Sequence, residues 1–306
     1  MAASTNAATV SDLVKVGAGA KRRGGVRGIY RILVRLVIHA TLIVGSLAMM
    51  LPMLWMISTS LKPTGQEWVF PPKWIPQPIQ WRNYMEFGKV LPVPFYRYVI
   101  NTLTITVFAT LGTLLTSSLA GFSFARLRFW GREKVFFLVI STMMLPGAVT
   151  LVPTFLIFRY LKWLNTFLPL TVPYWLGGTA FSVFLLRQFF MSLPYELDEA
   201  ARMDGASNFW IYYRIAMPLS GPALISVLIF QVLDHWNAFM GPLIYINSMH
   251  KYTLSLALRV FQNERSQRVN LLMAASMVQV LPVIIFFFVA QRYFIKGISV
   301  TGLAGR

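Results

Sequence analysis

The chain has 306 residues, 56% of them hydrophobic and only 12% charged, with 28 Lys and Arg against 10 Asp and Glu, a net charge of +18. A soluble domain carries about 25% charged residues, so this composition excludes an ordinary globular fold and points to a membrane protein. The absence of Cys excludes disulfides, thiolate metal sites and a cysteine nucleophile. The bases occur in short segments between apolar runs rather than on one contiguous face, which favours the positive-inside bias of a membrane protein over a nucleic-acid groove.

Residues 1–35 are Gly/Ala-rich and basic, with Lys15, Lys21, Arg22, Arg23, Arg27, Arg31 and Arg35, and read as a mostly disordered cytoplasmic tail. The uncharged run that follows, Leu36 to Ile57, is 22 residues long, too long for the core of a signal peptide. A spanning helix needs about 20 predominantly apolar residues. Six uncharged runs fit: 36–57, 98–125, 135–158, 163–186, 215–233 and 269–291. The expected fold is an all-α, multi-pass, six-helix domain over 36–297, with a cytoplasmic tail at 298–306. The most basic flank belongs to the first run, which puts both termini inside.

Between the first two runs, residues 59–97 carry Trp68, Trp74, Trp81 and Pro63, Pro71, Pro72, Pro76 and Pro78. Pro rules out long helices there, and Trp suits either the membrane interface or an external partner. Hydroxyls crowd the second run at Thr102, Thr104, Thr106, Thr110, Thr113, Thr116, Ser117 and Ser118. Such small polar residues allow close helix packing. Pro146, Pro153, Pro169, Pro173 and the Gly177–Gly178 pair interrupt the third and fourth runs, and such breaks survive where neighbours satisfy the freed backbone groups.

The organising stretch is 192–218, between the fourth and fifth runs. Glu196, Asp198, Glu199 and Asp204 place four of the ten acids within nine positions. Ser192 and Pro194 predict a helix start with these acids on the positive end of its dipole. Gly205 predicts a left-handed stop, and Ser207 caps a second short helix running to about Tyr213. A solvated loop needs none of this, whereas a docking element for a cytoplasmic partner does.

No Walker A pattern occurs, so the chain does not bind ATP through a P-loop; His39, His235 and His250 cannot form an i, i+4 zinc pair. The 196–204 acids leave open a metal-dependent transferase, although Glu196 and Asp198 sit on different helix faces. Asp234 lies about 24 Å along the fifth helix from Pro218, near its outer boundary, and is a functional candidate by default.

Glu199-Ala200-Ala201, Gly205 six positions after the Glu, and Ile215-Ala216-Met217-Pro218 resemble the E-A-A loop of ABC importer membrane subunits, with Met217 where Leu is usual. The segments 234–243, 252–256 and 290–297 resemble the sugar-importing, maltose-type permease branch. The resemblance implies no catalytic residue and no bound cofactor in this chain. ATP and Mg would be used by two ATPase subunits, beside a second homologous permease and an extracytoplasmic sugar-binding protein, in a prokaryotic cell membrane. Glu199, Ala200, Ala201, Asp204, Gly205, Ile215 and Pro218 would dock on the ATPase. Aromatic faces and amides suit sugars, which makes Asp234, Trp236 and Asn237 the pathway candidates. A polyol or glycerol-phosphate is the alternative cargo within the same branch.

Overall fold

The structure is a computed structural model that describes the backbone of residues 9–264 and 268–303, and the side chains of 30–262 and 268–291. Every regular element among the described residues is helical. In chain order the α-helices are α1 (Thr9–Ser60), α2 (Asn83–Val90), α3 (Phe95–Arg126), α4 (Arg132–Ser141), α5 (Gly147–Tyr160), α6 (Leu168–Thr171) and α7 (Ala180–Ser192). There follow α8 (Glu196–Met203), α9 (Asn208–Ile211), α10 (Met217–Leu219), α11 (Gly221–Trp236), α12 (Met240–Tyr245), α13 (Leu254–Glu264) and α14 (Val269–Leu303).

Two compact units divide at Ile57. The first is essentially α1, whose stretch Tyr30–Ser60 is long and apolar enough to cross a membrane. Its backbone is helical from Thr9, where the sequence led us to expect disorder. Ala, Lys and Arg favour a helix, and α1 meets no Pro before Pro52, although its glycines between positions 17 and 28 oppose it. Residues 1–8 and 304–306 lie outside the described residues.

In the second unit, Phe95–Arg126, Leu168–Ser192 and Val269–Gln291 pass as spans, and two bent pairs supply the others. Arg132–Met144 and Gly147–Tyr160 meet at 102°, and Asn208–Leu219 and Gly221–Trp236 at 77°. Counting each pair as one span gives the expected six. The third and fifth runs are therefore not straight rods. Leu145 leaves the helical region ahead of Pro146, as a residue before proline tends to, and Ser220 is a turn residue between Pro218 and Pro222.

The fourth span also sits later than its uncharged run, at 168–192 rather than 163–186. Lys162 and Asn165, both with φ of 57°, break the chain before it. At the other end Arg187 does not stop the helix, because its charge is met inside the protein: Nη2 lies 3.1 Å from Glu133 Oε2, and its guanidinium stacks 3.9 Å from the Phe136 ring.

α3 is the central post, packed mainly against α7 and α11, with α14 beyond α11. Six hydroxyl residues of its expected small face (Thr102, Thr106, Thr110, Thr113, Ser117, Ser118) are buried. Gly121 lies close against α7: a Cβ there would lie 3.1 Å from both the Arg187 backbone nitrogen and Leu186 Cβ. An apolar cluster sits at each end of α3. Phe87, Phe95, Tyr98, Trp236, Phe261 and Leu271 gather near its start. Phe122, Leu186, Phe190, Ala201, Ile211 and Tyr212 gather near its end, under α8.

Candidate functional site: an anchored helix between two spans

α8 is eight residues long, too short to be stable alone, so its geometry comes from its ends and its anchor. Its C-terminus is a Schellman stop. The Ala206 N–H donates to the Ala201 carbonyl at 2.9 Å, and the Gly205 N–H to the Arg202 carbonyl at 3.0 Å. Gly205 holds φ of +80°, which glycine adopts without a side-chain penalty. Ser207 caps α9 as expected, its Oγ accepting from the Trp210 N–H. The helix start differs from expectation. Ser192 ends α7, and α8 begins at Glu196 behind Tyr195, which makes no side-chain cap bond. The acids of the first turn take the capping role electrostatically.

The four acids do not share one face. Glu196, Glu199 and Asp204 are exposed, whereas Asp198 is buried and faces Arg126 at the end of α3, Oδ2 to Nη1 3.4 Å, both side chains 5% exposed. That contact is an ion pair without good hydrogen-bond geometry, since Oδ2 has no hydrogen-bond donor. The rest of the guanidinium is bound to backbone: Nε and Nη2 donate to the Phe190 carbonyl at 3.0 and 2.7 Å, and Nη2 to the Leu193 carbonyl at 2.6 Å. Tyr195 covers it, ring centroid 5.5 Å from Cζ.

Arg187 of α7 reciprocates, donating from Nε to the Phe124 carbonyl of α3 at 3.4 Å and from Nη2 to both Glu133 oxygens. The two neighbouring helices thus exchange arginines at their C-terminal ends, where unpaired carbonyls and the negative end of the dipole favour a cation. In the sequence Arg126 and Arg187 read only as two of the bases between apolar runs; that each directly abuts the end of an uncharged run was the available signal.

Of the expected docking residues, Glu199, Ala200, Asp204, Gly205 and Pro218 are exposed, while Ile215 is half-buried. Ala201 instead turns inward, 6% exposed, into the cluster with Phe122 and Phe190. Its methyl faces the core because Asp198, three residues earlier on the same face, is held there too. Leu197, Ala200, Asp204, Gly205, Trp210 and Ile215 line an open groove of about 710 Å³. Beside it stand exposed apolar side chains, Met203 (89% exposed), Phe209, Trp210 and Tyr213. Tyr212, in the π-turn that follows, is pinned to α3 by a 2.7 Å contact between its hydroxyl and Ser118 Oγ.

The pathway candidates differ in exposure. Asp234 is exposed, and Asn237 is exposed with its amide donating to the Leu233 carbonyl at 2.9 Å. Trp236 is buried, its indole N–H committed to the Gln279 carbonyl at 3.0 Å. Their neighbour His235 is buried with its ring edge on Tyr174, centroids 4.5 Å apart, and its Nε2 has no hydrogen-bond partner. Gln231, one turn earlier, is likewise buried with its carbonyl oxygen unmet. Among the described residues no three His, Cys, Asp or Glu side chains come close enough to hold a metal ion.

Comparison with known proteins agrees with this architecture. Residues 112–300 match the family described as binding-protein-dependent transport system inner membrane component. The arabinooligosaccharides transport system permease protein AraQ of Bacillus subtilis (strain 168) is 35% identical over 211 residues, 69% of this chain and 74% of its own length. The sn-glycerol-3-phosphate transport system permease protein UgpE of Shigella flexneri serotype 5b (strain 8401) is 34% identical over 207 residues, 67% of this chain and 73% of its own. In fold, the chain superposes on a solved bacterial ABC transporter involved in import of the acidic polysaccharide alginate. The TM-score is 0.72 and the identity 22%, over 95% of this chain and all of that one. With the family match spanning more than half of its length, this chain belongs to the binding-protein-dependent transport system inner membrane components.

Proposed function

We propose that this chain is the membrane-spanning permease subunit of a sugar-type ABC importer, contributing half of the pathway and no catalytic residue. α8 and its groove dock on an ATPase subunit in the cytoplasm, with both termini on that side. A second homologous permease, a second ATPase subunit and an extracytoplasmic sugar-binding protein complete the complex in a prokaryotic cell membrane, and ATP and Mg act in the ATPases. The observation that carries this is α8 itself: a short helix capped by a glycine stop, exposing Glu199, Ala200, Asp204 and Gly205 beside an apolar patch while its other face is anchored to two spans. Exposed apolar patches rimmed by polar residues mark contact with a protein or a membrane, and the capped helix with its groove favours the first.

A mono-, di- or oligosaccharide is the cargo we favour, on the relationship to the arabinooligosaccharide permease. A glycerol-phosphate is the second reading, supported by nearly equal identity to the permease named for that solute. A metal-dependent transferase is poorly served, because Asp198 is paired to Arg126 and turned from its neighbours. The test is purification of the tagged chain in mild detergent from its native membrane, followed by binding-protein-stimulated ATP hydrolysis with sugars and with glycerol-phosphate. An ATPase and a second permease are expected to co-purify. A chain that purifies alone from a membrane containing them would overturn the proposal.

A further inference from the structure

We propose that Arg126 is a positioning residue for transport: through its buried pairing with Asp198 it fuses α8 to α3 and α7, so that the docking helix and these two spans move as one body. This rests on α8 being the ATPase-docking element. Three observations carry it. α8 reaches the spans through two inward groups, the Ala201 methyl and the Asp198 carboxylate, and its remaining acids are exposed. The carboxylate meets a guanidinium belonging to α3 whose other donors hold the last carbonyls of α7, so one side chain touches all three elements. Arg187 returns the link from α7 to α3, which removes the freedom of those two helices to slide independently.

The pairing is suited to transmission rather than to docking. Both side chains are buried, and two charges in a low-dielectric site attract far more strongly than the same pair in water. A planar guanidinium with several fixed donors can hold the Phe190 and Leu193 carbonyls while its charge faces the carboxylate, whereas a lysine ammonium is a point charge. Without the charge, α8 keeps its glycine stop, its groove and its exposed face, yet loses its buried charge contact with α3 and is left with Ala201 as its buried apolar contact. ATPase closure would then tilt α8 without turning α3 and α7.

The experiment uses the full complex, with its binding protein, in proteoliposomes. The variants are Asp198→Asn, which keeps shape and removes charge, Asp198→Glu, which restores charge, and Arg126→Lys. Uptake and ATP hydrolysis are normalised to assembled complex, and spin labels at Leu115→Cys on α3 and Glu196→Cys on α8 report their separation with and without nucleotide. In wild type that separation is expected to stay constant between nucleotide states. In Asp198→Asn and Arg126→Lys the subunits are expected to assemble and hydrolyse ATP at the basal rate. Their uptake is expected to fall at least about tenfold (about 1.4 kcal/mol by the tenfold rule), with a separation that now differs between states, and Asp198→Glu to recover most of the loss. Wild-type uptake per assembled complex in Asp198→Asn, or a wild-type separation that shifts with nucleotide, would overturn the proposal. If the wild-type chain assembles no ATPase at all, it is the docking function that fails, and this inference falls with it.

Discussion

The two ends of α3 handle buried polarity in opposite ways. At its C-terminal end the buried Arg126 and the nearly buried Arg187 are met by carboxylates and by the last carbonyls of the neighbouring helix. Toward its other end, Thr106 and Thr110 of α3 and Gln231 and His235 of α11 are buried with a hydroxyl, an amide oxygen or a ring nitrogen unmet. Buried polar groups are ordinarily satisfied, so the second end holds hydrogen-bonding capacity in reserve, whereas at the first the guanidinium groups are met and Asp198 Oδ2 faces the Arg126 charge without a hydrogen-bond donor. That contrast fits a subunit that is rigid where it takes up force and adaptable where a polar solute or a second subunit must be accommodated.

The largest effect that would sharpen this contrast is expected at the glycine stop. Gly205→Pro cannot reach a φ of +80° and removes the N–H that donates to Arg202. Uptake is expected to vanish while the protein still reaches the membrane and its ATPase no longer co-purifies; Glu199→Lys, on the exposed face, is expected to do the same by charge reversal. Wild-type uptake by either variant would separate α8 from coupling. Next comes the Arg126–Asp198 pair. Arg126→Met leaves Asp198 buried without its cation and is expected to cost about 3–5 kcal/mol of stability, read as thermal unfolding in detergent. Arg126→Met with Asp198→Leu is expected to regain part of it, and strictly additive losses would show that the pair does not interact.

Packing follows. Gly121→Val drives a branched side chain into the α7 backbone and is expected to cost about 1–3 kcal/mol, measured the same way. At the other end, Asn237→Ala is expected to change uptake less than twofold, because its exposed amide serves only the Leu233 carbonyl. Gln231→Leu, which abolishes an unmet buried acceptor, is expected to alter uptake more than it lowers stability. The reverse order would put the pathway back at Asn237.

The smallest effect concerns pH. Lys62, buried in the segment that follows α1, has its pKa lowered from the ordinary 10.5 by burial, which Glu67 partly opposes. Between the lowered value and 10.5 the unfolded chain binds more protons than the folded one, so stability is expected to rise with pH through that window. Lys62→Met should flatten the slope in alkaline unfolding curves; an unchanged slope would assign it to another group.

How much of this was legible beforehand divides along the same line. Spans and the E-A-A segment were readable because apolar length, a glycine stop and a serine cap are local signals, and Gly205 and Ser207 fold as their chemistry dictates. The bend at Leu145 was half legible, since Pro146 marked the place, whereas no break was expected in the fifth run at Ser220, and the angles of 102° and 77° depend on neighbours. The Arg126–Asp198 pair was not legible. Asp198 looks like its three acidic neighbours until Arg126, 72 positions earlier, is folded against it. Likewise Ala201 shares its type with Ala200, and only the position of the Phe122–Phe190 cluster decides which of the two faces out. Trp236 and Asn237 suggested a sugar platform by residue type, but the indole N–H is taken by Gln279 and the amide by the helix itself.

The most direct test of the central claim, that α8 is the element that meets an ATPase, exploits the absence of native Cys. A single cysteine at exposed Ala200, carrying a short photo-activated cross-linker, samples only what touches that face in native membranes. A cross-link to an ATPase subunit is expected, weakened when nucleotide is removed, and none from a control cysteine at exposed Leu115 on α3. Labelling of lipid or of no protein at Ala200, in a membrane where uptake is active, would contradict it.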